Sequence, residues 1–316
     1  MKIWLQVLFL LFPFAATAQP SAERAVAITF DDLPFASVPA VNSAYLLGMT
    51  TRLLHQLQAN QVPAVGFVNE AKLFRDGILD PERVDLLRGW TRAGFELGNH
   101  TYSHPSLNLV PLDAFQADVL RGEALTRALM KDTGHPLRWF RHPYLHLGKT
   151  TVVRTAFQDF LATHGYTVAP VTVNNSEWVF AVAYSRAQAQ GDQGASRRIG
   201  AAYVLHMETM FARVEKLALD LFGRPIAHVL VLHANALNAD HFDALAAMLR
   251  QRGYGFVTLD DALRDSAYAV PLGVSGHEGE SWLENWARQV GMRPSKPPQV
   301  PDFVTQWAGP DAYRGY

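Results

Sequence analysis

Four short segments of this chain carry side chains whose types and spacing suit chemistry. Thr29-Phe30-Asp31-Asp32 sets two carboxylates side by side at the end of an apolar run. Adjacent carboxylates repel, so something must keep at least one ionised, and a bound cation does that. An Asp pair ending a strand at a turn is the plainer reading. His100-Thr101-Tyr102-Ser103-His104-Pro105 places two imidazoles four residues apart. On a helical turn both lie on one face and reach one metal ion. Two histidines and a carboxylate leave positions open for water and substrate, which marks a catalytic rather than a structural site. Two surface histidines near a turn are the ordinary alternative. In Arg138-Trp139-Phe140-Arg141-His142-Pro143-Tyr144, Arg141 is able to pair with a carboxylate and orient it, although an arginine near a loop proline is common. Leu230-Val231-Leu232-His233 ends on an imidazole suited to general acid work near neutral pH. Val231 faces the same side of that strand. A lone histidine there is more commonly a satisfied core residue.

These segments must be held by elements that bring their ends together. The run Ala25 to Phe30 reads as a buried parallel strand with chemistry at its C-terminal end. Helical spacing follows over 44–59, then a strand over 63–68. Asp80-Pro81-Glu82 starts a helix, with an N-cap Asp and Pro at the first helical position, that runs to Gly94. A strand over 96–98 leads into His100. The alternation goes on: helix 113–130, strand 137–140, helix 151–164, strand 166–173, helix about 202–221, strand 227–232, helix 240–252 and strand 255–258. Repeated strand–helix units imply an α/β fold with a parallel sheet closed, or nearly closed, into a barrel. Residues 188–196 read as a polar inserted loop. Beyond Asp265 the pattern changes to one short helix over 282–290 and a Pro-rich stretch over 293–301. The predicted division is a leader over 1–18, a domain over 25–265 and an extension over 266–316.

Taken together and in order, TFDD, HTYSHP, the R-x-P-Y segment, a following Trp and L-x-L-H resemble the polysaccharide deacetylase family, the NodB-homology or family-four carbohydrate esterases. The resemblance spans roughly Ala25 to Asp265. It implies a distorted (β/α) barrel with its site at the strand C-termini. It also implies roles: Asp31 as general base, Asp32, His100 and His104 as metal ligands, and Arg141 as the residue that orients the base. The backbone N–H of Tyr144 is the implied oxyanion donor and His233 the implied acid for the leaving amine. Trp178 and Val231 are the implied walls around the acetyl methyl. Where the family usually shows an aspartate pair, this chain reads Asn174-Asn175-Ser176-Glu177-Trp178. Glu177 still offers a carboxylate to tune His233, on a longer arm, while Asn174 carries no charge. His142 has no assigned role.

The implied activity is removal of acetyl groups from an N-acetylated amino sugar polymer by a metal-dependent hydrolase. An O-acetyl polysaccharide esterase, a glycan-binding homologue without catalysis and a metal-storage protein are the alternatives. Zinc suits an open Asp-His-His set, and cobalt, manganese or nickel accept similar ligands. The bulk numbers agree with such a function. A net charge of −1 over 316 residues gives no electrostatic footprint for nucleic acid or an anionic membrane. The absence of cysteine excludes disulfides, a thiolate nucleophile and a Cys-based zinc site. Met1-Lys2, an apolar run over 3–14 and Ala16-Thr17-Ala18 read as a secretory signal with its cleavage site. The run is too short to span a bilayer comfortably. The expected location is periplasmic or secreted, with an acetylated glycan as partner and no stable membrane insertion after cleavage.

Overall fold

The computed structural model describes residues 24–36, 42–273 and 279–313; the expected leader lies outside them. In chain order, β1 (Arg24–Leu33) is followed by α1 (Ser43–Ala59), capped by the Asn42 side chain, and by β2 (Ala64–Val68). A small hairpin, β3 (Phe74–Arg75) with β4 (Ile78–Leu79), leads into α2 (Pro81–Arg92), whose N-cap is Asp80. Then come β5 (Glu96–Asn99), α3 (Leu112–Arg121), α4 (Ala124–Asp132), β6 (Trp139–Phe140), α5 (Thr151–Thr163) and β7 (Thr167–Val168). The second half holds α6 (Glu177–Ala189), α7 (Gln193–Phe222), β8 (His228–His233), α8 (Ala236–Gln251), β9 (Tyr254–Phe256), α9 (Leu259–Leu263), α10 (Trp282–Gln289) and α11 (Asp302–Ala308).

The main sheet runs β7-β6-β5-β2-β1-β8, with β9 added at the start of β1. Every pairing in it is parallel, so all its C-terminal ends open on one rim. Beyond β7 the chain continues to Val173, whose bridge to Leu230 returns the sheet on β8. The result is the expected distorted barrel wrapped by helices. The strands alternate between two apolar layers. Val26, Ile28 and Phe30 join the large core under the helices, where Phe30 packs edge-on against Trp90 at 5.5 Å. Ala27 joins a smaller cluster with Val65, Phe67, Trp139 and Val229. Thr29 and Asp31 continue that second face upward, because side chains two apart share a side of a strand.

Several expectations need correction, the onset of the helix expected over about 202–221 (Gln193 in α7) and the length of the strand expected over 166–173 (Thr167–Val168 in β7) among them. The single helix over 113–130 is two, α3 and α4, broken at Gly122. A Cβ there would lie 2.4 Å from the Tyr102 backbone nitrogen, so only glycine admits the loop carrying the histidines. Residues 188–196 form no inserted loop: α6 and α7 meet across 190–192, and Asp192 caps α7. The helix expected over 240–252 begins at Ala236, because Asn235 caps it. The tail holds a second helix, α11, which packs on α6. Among the described residues no helix is long and apolar enough to cross a membrane.

Candidate active site

Asp31 and Asp32 end β1 on the rim. In a regular strand they would point to opposite faces. Here the β1–β2 register shifts between Phe30 and Leu33, and Asp32 is left-handed at φ 69°, so both carboxylates serve one site. Similar backbone bends recur around it. Of the seven described non-glycine residues with positive φ, five (Asp32, Thr101, His104, Tyr144 and Leu145) lie in the rim loops. Such conformations cost of order 1–3 kcal/mol each and persist where the surroundings over-determine them.

The two histidines meet, although not on a helical turn. HTYSHP is an irregular loop in which Thr101 and His104 are both left-handed. Its shape is set by side-chain acceptors: Asn99 Oδ1 receives the Thr101 N–H at 2.7 Å, Thr101 Oγ1 receives that of His104 at 3.0 Å, and Asp118 Oδ1 receives those of Tyr102 and Ser103. The imidazole rings end 4.9 Å apart, edge to face. Donor atoms of Asp32, His100 and His104 all lie within 4.8 Å of one another. Two features make this set fit a divalent cation. His100 Nδ1 donates to the Arg141 carbonyl at 2.8 Å, which leaves Nε2 as the lone-pair nitrogen facing the cluster. Burial lowers the pKa of both histidines to about 3, so each is neutral and ready to ligate. Asp32 is held as the anion: burial opposes ionisation, but the positive charge of Lys72 foremost, with that of His233, outweighs it and lowers its pKa.

Asp31 stands beside this cluster and is gripped from behind. Arg141, 1% exposed, reaches its two carboxylate oxygens at 3.2 and 3.3 Å through Nη1. The rest of the guanidinium donates to Thr29 Oγ1 and to the Ala169 carbonyl, and its plane lies over Phe67. Burial raises the pKa of Asp31 against the opposing charge of Arg141, which strengthens it as a proton acceptor.

On the neighbouring strand, in register with Asp31, stands His233 at the end of β8. Its Nδ1 donates to Glu177 Oε2 at 2.7 Å. Glu177 is wholly buried, and its other oxygen accepts from Asn235 at 2.5 Å and Asn238 at 2.8 Å. Burial alone would lower the His233 pKa, but the hydrogen bond and charge of Glu177, with Asp32 and Asp31 beyond, raise it to about 9.

A cavity of about 390 Å³ is lined by Asp31, His100, His104, Tyr144, Trp178, Val231 and His233. Arg141 and Glu177 lie behind its walls. His142 is apart from it, its ring set between Phe140 and Phe157 in the core. Asn174 ties the extension to the rim by donating to the Gly279 carbonyl at 2.7 Å. Several residues at the site escaped the sequence reading: His146 and Gly279 line the cavity, Asn235 and Asn238 satisfy Glu177, and Lys72 pairs with Asp32 at 2.9 Å. Lys72 follows the end of β2, and in a parallel barrel every segment after a strand end is a site candidate.

Residues 18–168 match the family model for polysaccharide deacetylase. Over that segment the chain is similar to polysaccharide deacetylases. The match takes in TFDD, HTYSHP and Arg141 to Tyr144, and stops before Trp178 and His233. A peptidoglycan-N-acetylglucosamine deacetylase of Bacillus cereus is 26% identical over 148 residues, 46% of this chain and 46% of that protein. A chitin deacetylase of Colletotrichum lindemuthianum is 30% identical over 133 residues, 42% of this chain and 46% of that protein. The chain thus spans less than half the length of these curated relatives. Among solved structures, a mutant of a CE4 family pseudoenzyme from Bacillus anthracis superposes with a TM-score of 0.50 at 16% identity, over 77% of this chain and 68% of that one. At that identity the likeness is one of fold, and it agrees with the barrel described above.

Proposed function

We propose that this chain is a divalent-metal-dependent hydrolase that removes the acetyl group from an N-acetylated amino sugar of a glycan outside the cytoplasm. The observation that carries the reading is one cavity lined by the Arg141-held carboxylate of Asp31, by two histidines able to hold a cation with Asp32, and by an imidazole hydrogen-bonded to buried Glu177. Asp32, His100 and His104 would hold the cation, which supplies Lewis acidity and makes water a better nucleophile. Zinc suits this donor set, with cobalt, manganese or nickel as substitutes. Asp31, held by Arg141, takes the proton of the attacking water. The Tyr144 backbone N–H donates to the oxygen that gains charge. Trp178 and Val231 flank the acetyl methyl. His233 gives its proton to the departing nitrogen, and Glu177 keeps that proton available.

The raised His233 pKa favours an amide over an ester substrate. An amine is a poor leaving group and needs a proton, whereas an alkoxide needs it less. Replacing His233 with Ala should therefore hurt amide cleavage far more than ester cleavage. The direct test is acetate release from a panel of N- and O-acetylated glycans, before and after chelation, with zinc or cobalt added back. Release that is lost on chelation and restored by metal supports the reading and names the substrate class. A chain that takes up no metal would end it.

A further inference from the structure

Among the described residues, Lys72 is a cationic side chain in contact with Asp32 that the proposed mechanism leaves unused. It sits in the short 3-10 turn Glu70–Leu73 that follows β2. Its ammonium lies 2.9 Å from Asp32 Oδ1 and donates to the Asp32 carbonyl at 3.3 Å. The same Oδ1 is the atom that faces His104 Nε2 at 3.7 Å. It is thus the oxygen a cation shared with His104 would take. A zinc ion binds a carboxylate oxygen at about 2 Å, so ion and ammonium would face each other across one atom, where like charges repel strongly.

The turn around Lys72 is anchored independently of the ammonium, whose contacts are to Asp32. The Lys72 backbone N–H donates to Asn69, its carbonyl accepts from Arg83 at 2.9 Å, and the neighbouring Ala71 N–H donates to Tyr102. Glu70 accepts the Thr126 N–H at 2.7 Å and its hydroxyl at 2.8 Å, and so fixes the turn to the start of α4. The lysine side chain itself is 20% exposed, with solvent to move into. The backbone is a fixed tether and the ammonium a movable head.

We propose that Lys72 is a built-in competitor for the metal. Its ammonium holds Asp32 Oδ1 in the metal-free chain, and loading a divalent cation displaces it toward solvent. The inference rests on Asp32, His100 and His104 being the metal ligands. The tethered cation stabilises a buried carboxylate while no metal is bound. It also weakens the affinity for metal, so the ion exchanges more readily than its three ligands alone would allow.

The test is calorimetric titration of the purified, metal-stripped chain with zinc, then with cobalt, for the native protein and for Lys72→Met. Methionine keeps the length of the side chain without its charge. The variant should bind zinc more tightly by about ten-fold or more, the scale expected when one partly buried like charge is removed. The unmodified protein supplies a second readout that needs no variant. Brief acylation of amines, read by mass spectrometry against exposed Lys131, should label Lys72 faster after zinc loading than before. Equal or weaker binding by Lys72→Met, or a Lys72 reactivity that stays level or falls on loading, overturns the proposal. If neither chain binds metal, the assignment of the ligands falls with it, whereas equal binding by both removes only the role of Lys72.

Discussion

Replacing Glu177 with glutamine removes the charge that keeps His233 protonated and changes little else in shape. Glu177 is fully buried and accepts from His233, Asn235 and Asn238. His233 is raised from the ordinary 6.5 to about 9 with Glu177 as its main raising influence. Without that charge, burial dominates and the imidazole falls to 6.5 or lower. A fall of that size is worth roughly 3 kcal/mol, at about 1.4 kcal/mol per pH unit. At pH 7.5 the native imidazole is almost wholly protonated, whereas that of Glu177→Gln is protonated in about one molecule in ten or fewer. The assay is the pH profile of kcat/KM for acetate release from an N-acetylated oligosaccharide. The high-pH limb should sit near 9 in the native protein and near or below the ordinary histidine value in the variant. The expected loss is at least about ten-fold at pH 7.5, shrinking as the pH falls toward 5.5. Stability follows the same linkage. The folded pKa of His233 lies above its unfolded value, so its contribution is complete below about 6.5 and is lost as the pH rises through about 9. The stability gap between native protein and variant should therefore narrow over that window in urea titrations. A residual gap of about 1–3 kcal/mol should remain, because a glutamine cannot satisfy all three donors. An NMR titration of the His233 ring checks the shift without turnover. A high-pH limb and a ring pKa that both stay near 9 in Glu177→Gln would refute the coupling.

Two further substitutions probe what holds the other side of the site. Arg141→Met leaves Asp31 buried without its partner, and should cost about 3–5 kcal/mol of stability at neutral pH in urea unfolding; a change within error would mean that Asp31 is relieved by another group. Gly122→Ala pushes a methyl onto the backbone of Thr101 and Tyr102, which cannot yield as a side-chain tip can. It should weaken zinc binding at the neighbouring histidines by about ten-fold, since ligand sets tolerate only about half an ångström of displacement; unchanged binding and melting would show that α3 and α4 absorb the methyl.

Much of this protein is written locally. The apolar run into Asp31, the Asp80-Pro81 start of α2 and the Leu230 to His233 strand end were legible because each depends on nearby residues alone. α6 was not legible: Val179, Phe180, Ala183, Tyr184 and Ala187 are buried around much of its circumference, so no apolar stripe marks it as a helix. The break at Gly122 was hidden for a different reason. It answers to the backbone of Thr101 and Tyr102, some twenty residues earlier in the chain. The His100–His104 pair was found for its spacing, yet the structure joins the rings through a left-handed loop shaped by Asn99 and Asp118 rather than through a helical turn.

The sequence by itself determined the order of strands and helices and the stock of titratable side chains at the strand ends. Those follow from hydrophobic period, caps and residue type, which act over a few residues. Only the tertiary structure decided which of those side chains touch. Parallel pairing of β1 with β2 and β8 sets strand ends far apart in the chain on one rim. There Arg141 meets Asp31, Glu177 meets His233, and the Lys72 ammonium meets the Asp32 oxygen that faces His104. Contact across a barrel depends on register and closure, and these are properties of the assembled sheet.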